Sequence, residues 1–238
     1  MSTSFATPIV GASVVGASHV RAGLPCQDAF AVASGDGYVA LAVADGMGSA
    51  ARADAGAATA VEAALETVDD PASMIERARA ALEARAASDE CDVRDFACTL
   101  IVAVTRDGIT STAHIGDGAV AGLRAEGVVD MLSEPAHSEY VNEITPLTAD
   151  DWRSHVRLGG PFEDLAAIAA FTDGCERAAI TPPGEAHAGF FLPLFSFVRD
   201  GDDGDSAREQ LAALLAGPKM TEHSDDDKTL VIAWLSQP

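Results

Sequence analysis

Basic residues are scarce in this 238-residue chain: 15 Lys and Arg stand against 37 Asp and Glu, a formal net charge of −22. So acidic a surface repels phosphate backbones and anionic lipid, which argues against nucleic acid and membranes as partners. Cysteine is sparse as well. Cys26, Cys91, Cys98 and Cys175 form no CxxC pair and no dense pattern, so they read as free thiols of a reducing compartment. No apolar run approaches the roughly 20 residues of a membrane span. MSTSFATPIV at the N-terminus lacks the basic and apolar regions of a signal peptide, so a cytoplasmic location is expected. The sequence also lacks GxxxxGK followed by Ser or Thr, GxSxG and HExxH, which removes the simplest P-loop, serine-hydrolase and zinc-protease readings. GDGYVA and GDGAVA match a loose GxGxxA, but each sits in a hairpin with no helix behind it.

What is present can build a core: 48% of residues are apolar and only 22% charged. Residues 8–16, 29–34 and 38–44 read as strands, the last two joined by a hairpin turn at Gly35-Asp36-Gly37. An Ala-rich run from Ala51 to about Val68 is helical in character, with Val61, Leu65 and Val68 on one face. A second helix is expected after Asp70-Pro71, carrying Met74, Ile75, Ala78 and Leu82. Strands return at 97–105 and 108–115, with two short ones around Glu126-Gly127. Residues 133–163 are aperiodic and Pro-containing and read as a long flap. A buried strand at 164–174, helices near 189–198 and 206–216, and a closing strand at 228–235 complete the pattern. Hairpin-linked strands with helices in pairs imply an α+β sandwich and not a doubly wound parallel sheet.

Asp-Gly occurs at 36, 45, 107, 117, 173, 200 and 203, so the dipeptide by itself denotes only a turn. Asp36 and Asp107 lie between alternating apolar runs and read as hairpin turns. RDGDDGDS at 199–206 precedes a helix that Asp205 or Ser206 would cap; it lacks the Gly and Glu spacing of an EF-hand. Asp45 and Asp173 differ, because each ends a long apolar run (VALAVADG, AAIAAFTDG) with no returning strand directly behind it, and Asp226 mirrors them before KTLVIAW. Three carboxylates at the ends of buried strands can converge at one sheet edge, where divalent cations would compensate their charge. Oxygen ligands with no Cys or His nearby suit Mg²⁺ or Mn²⁺ and not Zn²⁺.

The ordered series GASHVRAGLPCQDAF, VADGMGSA, CTLIVAV, AHIGDGAV, FTDGC and DDDKTLVIAW resembles the metal-dependent protein phosphatases of type 2C (the PPM family), and among them the compact bacterial branch. The likeness spans about residues 9–236 and implies one phosphatase domain over 1–238. It implies a four-layer α-β-β-α sandwich of two antiparallel sheets, with a binuclear Mn²⁺ or Mg²⁺ centre at one end. Matched position by position, Asp45 resembles the carboxylate bridging two metals and Gly46 the donor of a backbone carbonyl. Asp173 and Asp226 resemble further ligands, with Asp227 in a place the family gives to Asn. Asp28 resembles the aspartate that holds metal-bound water, and Asp117 the acid of a third, looser metal site.

The series also departs from the family. Gln27 replaces an acidic residue, Met47 stands where some relatives carry a histidine, and Gly23 stands where the phosphate-binding arginine is expected. Arg21 and His19 are the candidates to replace that arginine. The resemblance implies hydrolysis of phosphoserine or phosphothreonine by metal-activated water, with Asp45 and Asp28 as catalytic residues. Its partners would be a phosphorylated protein, such as a cognate kinase or that kinase's targets. The alternative is a catalytically weak or inactive PPM-fold module that binds a phosphoprotein or signalling partner.

Overall fold

A computed structural model describes residues 7–133, 135, 144–201 and 204–235. Two five-stranded antiparallel sheets face each other. The first runs β1 (Ile9–Val14), β12 (Lys228–Trp234), β9 (Leu165–Phe171), β6 (Ala119–Arg124), β7 (Val129–Ser133) in spatial order. The second runs β2 (Asp28–Gly35), β3 (Tyr38–Asp45), β4 (Leu100–Arg106), β5 (Ile109–Ile115), β8 (Arg157–Phe162). Helices α2 (Ala53–Leu65) and α3 (Pro71–Ser88) cover the second sheet, while α5 (Ala188–Asp200) and α6 (Asp205–Leu215) cover the first. The architecture is therefore the α-β-β-α sandwich expected. Short pieces fill the connections: α1 (Ala17–Ala22), α4 (Glu176–Ala179), α7 (Pro218–Thr221) and a two-residue ribbon of β10 (Ile180–Thr181) with β11 (Glu185–Ala186).

Strand β3 shows how the sequence builds the layers. Successive strand residues point to opposite faces. Val39, Leu41 and Val43 enter the core between the sheets with Ile101, Ile168 and Val231, whereas Ala40, Ala42 and Ala44 face the helices. Alanine on that face lets α2 approach closely, so Ala57, Ala60 and Val61 pack onto it together with Met74, Ile75 and Leu82 of α3. Helix α3 starts where Asp70 and Pro71 predict. The Asp70 carboxylate accepts the Ala72 and Ser73 N–H groups, and Pro71 occupies the first turn, where a missing N–H costs nothing.

Two expectations are revised. Residues 157–162, within the segment read as a flap, form edge strand β8 against β5, and Leu147 and Trp152 of the same segment are buried beneath α2 and α3. The Gly159-Gly160-Pro161 sequence hid that strand, since Gly and Pro both disfavour strand interiors and mark edges. Residues 134 and 136–143 of the flap reading lie outside the described residues. Helix α6 is capped by the Gly204 backbone with no side-chain bond, and Asp205 lies in its first turn, where a negative charge favours the helix dipole. Helix α1, too short to show a period, was not anticipated.

The strand registers bring several chain segments to one end of the sandwich. Asp45 ends β3 opposite Asp28 at the start of β2. Phe171 ends β9 beside Ala119 and Leu230, and Val14 ends β1 opposite Lys228. The turns after Ile115 and before Lys228 reach this same end.

Candidate metal centre

Asp45, Asp117 and Asp173 can each offer a carboxylate oxygen such that the three atoms lie within 4.8 Å of one another. Each comes from a different connection: the end of β3, the β5–β6 turn, and the turn after β9. Asp28 lies beside them and is buried. Its Oδ2 accepts the Thr172 hydroxyl at 2.7 Å, and Thr172 Oγ1 in turn accepts the Thr229 N–H at 2.9 Å. This chain of bonds ties β2 of one sheet to β9 and β12 of the other. Asp226 is exposed, and it groups with His19 and Asp227, whose ligand-type atoms also lie within 4.8 Å of one another.

So many acids in so small a volume resist ionisation. Burial, then the charges of Asp28, Asp173 and Asp117, holds Asp45 well above the usual carboxylate range. Burial raises Asp28 from 3.8 to about 7 against the opposing bonds from Thr172 and Thr229. Burial and the Asp173 charge raise Asp117 to about 7 as well. Asp173 is raised by burial and by Asp226. For Asp28 alone the shift corresponds to roughly 4 kcal/mol of disfavoured charge. Without a cation, burial and mutual repulsion thus disfavour full ionisation of the cluster at neutral pH.

The bare oxygens show what would relieve it. Five buried side-chain oxygens lack a hydrogen-bond partner among the described residues, and Asp117 Oδ1 and Asp173 Oδ1 are two of them. Acceptors converging without donors suit a cation, and hard oxygen donors suit Mg²⁺ or Mn²⁺. The residues present fit such an ion.

Gly46 owes its missing side chain to a backbone crossing. A Cβ there would lie 2.6 Å from the Ala53 carbonyl oxygen and 2.8 Å from that of Gln27. Its N–H donates to the Gln27 carbonyl at 3.0 Å. The bridge to Cys98 runs through its neighbours, Thr99 N–H to Asp45 O and Met47 N–H to Ala97 O, and leaves the Gly46 carbonyl out of the ladder. Thr99 also accepts the Asp45 N–H on its hydroxyl at 3.0 Å, fixing the aspartate's backbone.

The two phosphate-binding candidates part company. Arg21 is exposed and donates to Asp225 at 2.5 Å, turned to the surface and not into the acidic cluster. His19 is partly buried, and its Nδ1 lies 2.8 Å from Asp227 Oδ2. Asp227 also accepts the Gly16 N–H at 2.6 Å and the Gln27 N–H at 2.5 Å. The carboxylate in the Asn place thus ties three segments together around Asp28 and Asp226. Gly23 ends α1 in the left-handed conformation, with open space where a side chain would project.

These connections pass through residues that the sequence did not single out: Thr99, Thr172, and Arg157 of β8. The Arg157 guanidinium donates to the Gly116 carbonyl at 2.7 Å, behind the Asp117 turn. The threonines stand inside the quoted motifs CTLIVAV and FTDGC without a role of their own, and the arginine was not signalled at all.

Protein phosphatase 2C is the family whose model matches residues 15–216 of the chain. The chain belongs to the protein phosphatase 2C family. It is 32% identical over 246 residues to serine/threonine-protein phosphatase 3 of Escherichia coli K12, covering 94% of this chain and 97% of that protein. Among solved structures it resembles the Mycobacterium tuberculosis serine/threonine phosphatase PstP/Ppp, with a TM-score of 0.67 at 17% identity over 97% and 99% of the two chains. It also resembles RsbX in complex with magnesium, with a TM-score of 0.59 at 14% identity over 96% and 94%. At such identities the structural likenesses establish the protein phosphatase 2C fold. Among the described residues no helix is long and apolar enough to cross a membrane.

Proposed function

We propose that the protein is a metal-dependent serine/threonine protein phosphatase that hydrolyses phosphoserine and phosphothreonine at the strand-end acidic cluster. The observation that carries this is the convergence of Asp45, Asp117 and Asp173, with two of their oxygens buried and unpartnered. Asp45, the Gly46 carbonyl, Asp173 and Asp226 would hold two Mn²⁺ or Mg²⁺ ions, and Asp117 a third. When bound, these ions supply charge neutralisation for phosphoryl oxygens and acidify water toward neutral pH.

The chain's own groups arrange the rest. Asp28 spends one oxygen on Thr172 and keeps the other to orient a water. Asp227 holds the His19 ring beside Asp226, from where His19 would contact the phosphoryl group in place of the arginine expected where Gly23 stands. Asp45 acts through its carboxylate, held by the Thr99 bonds at its backbone. Beside the cluster, Met47, Ser49, Arg94, Pro146 and Thr148 line a cleft of about 480 Å³ that admits the phosphorylated segment. Its wall at 146–149 belongs to the segment read as a flap, which therefore still shapes substrate choice. The strongly negative surface favours partners with basic segments, such as a kinase or its targets.

Gly23 in place of the expected arginine favours a second reading, a non-catalytic module that binds a phosphoprotein. Hydrolysis of an aryl phosphate and of a phosphothreonine peptide separates the two. The phosphatase reading expects turnover with Mn²⁺, loss of it with chelator, and loss of it in Asp45→Ala. Wild type no faster than Asp45→Ala in Mn²⁺ rules that reading out.

A further inference from the structure

Lys228 is 1% exposed, among the largest fully buried side chains of the protein. Lysine is almost never buried so completely unless its charge is matched. It opens β12 directly after Asp226 and Asp227, and its Nζ donates to the Asp226 carbonyl at 2.7 Å. Its stem runs along Gly174: the Cβ that Gly174 lacks would stand 3.1 Å from Lys228 Cγ and 1.8 Å from the Asp227 carbonyl oxygen. Only a glycine after Asp173 leaves room for the two turns to meet around this side chain. Asp173 directly precedes that glycine, so the Lys228 side chain, the Asp226 carbonyl and the Asp173 turn meet at one packed junction. A buried ammonium and a crowded set of carboxylates each carry a desolvation cost that neither repays alone; placed together they offset each other.

We propose that Lys228 is a positioning residue of the acidic cluster. Its ammonium pins the main chain at Asp226 and offsets the charge of Asp173 and Asp226, so that the strand end keeps its shape before a cation arrives. The residue thus acts as a resident monovalent counter-ion. Divalent cations would take over most of that neutralisation when they bind.

The inference rests on the cluster being the metal centre, and melting curves of Lys228→Met test it with chelator and with saturating Mn²⁺. In chelator the variant melts about 5–10 °C below wild type, and saturating Mn²⁺ closes most of the gap. A loss of the same size with and without Mn²⁺ would make Lys228 a packing residue and overturn the proposal, as would unchanged melting in chelator. If Lys228→Met does not fold, the double variant with Asp173→Asn decides, since the charge to be offset is then removed. Its melting in chelator should recover toward that of Asp173→Asn alone; a double variant no better than Lys228→Met overturns the proposal. Mn²⁺ that fails to raise the melting temperature of wild type counts against the metal-centre reading, while the chelator arms still judge Lys228.

Discussion

The two ends of β3 carry the same dipeptide in opposite settings. At its start, Asp36-Gly37 and the neighbouring Asp107-Gly108 turn back into the sheet, both aspartates exposed, with the Asp107 N–H donating to the Gly37 carbonyl at 2.9 Å. Asp107 and Gly108 take positive φ angles of 50° and 81°, which a two-residue hairpin turn needs and which Asp-Gly supplies at little steric cost. At its finish, Asp45-Gly46 meets Asp28, Asp117 and Asp173, and all four carboxylates are pushed toward the protonated form. The difference comes from the neighbours and not from the dipeptide. At the far end each aspartate faces water. At the near end four connections point inward, so each acid is shielded from water by the others.

Substitutions at the two ends sharpen that contrast, and the largest effect belongs to Asp45. Asp45→Ala should lower Mn²⁺-dependent phosphatase activity more than about 100-fold, beyond the loss usual for residues that only support a ligand. Activity within a few fold of wild type would leave the near end no different from the far one. Thr172→Val comes next: it removes the hydroxyl that links Asp28 to β12, and the Mn²⁺ half-saturation concentration should rise roughly 10- to 100-fold.

A pH series gives a third, smaller effect. Asp28 and Asp117 titrate near 7 in the metal-free fold and near 3.8 when ordinary, so between these values the folded state binds more protons than the unfolded state. Stability conferred by protonated acids is therefore lost as pH rises from about 4 through 7. Metal-free protein should melt lower at pH 8 than at pH 6, and the rise in melting temperature on adding Mn²⁺ should be larger at pH 8. Melting independent of pH over this range would contradict the crowded-acid account. The smallest effect is at the far end, where Asp36→Ala should change stability by less than about 0.5 kcal/mol and activity not measurably.

Much of this was legible because the signals were local. Alternation in YVALAVAD placed β3, Pro71 after Asp70 placed α3, and apolar runs ending in aspartate marked Asp45 and Asp173. Nothing local marked β8, since its Gly-Gly-Pro sequence imitates a loop and its strand character comes from pairing with β5. The orientation of Arg21 was equally hidden. Only Val20 separates it from His19, yet one side chain pairs with Asp225 at the surface and the other with Asp227 beneath it. Thr172 and Lys228 act through partners that only the folded strand registers bring near. Gly46 entered through its motif alone, whereas the Ala53 and Gln27 carbonyls packed against it, which leave no room for a side chain, come from segments distant in sequence.

The most direct test of the central claim is calorimetric titration of metal-free protein with Mn²⁺ at pH 8, for wild type and for Asp45→Asn. The account predicts two or three sites per chain in wild type, with tight binding lost in the variant. Many weak, equivalent sites that survive Asp45→Asn would show that the acids merely decorate an acidic surface, and would contradict it.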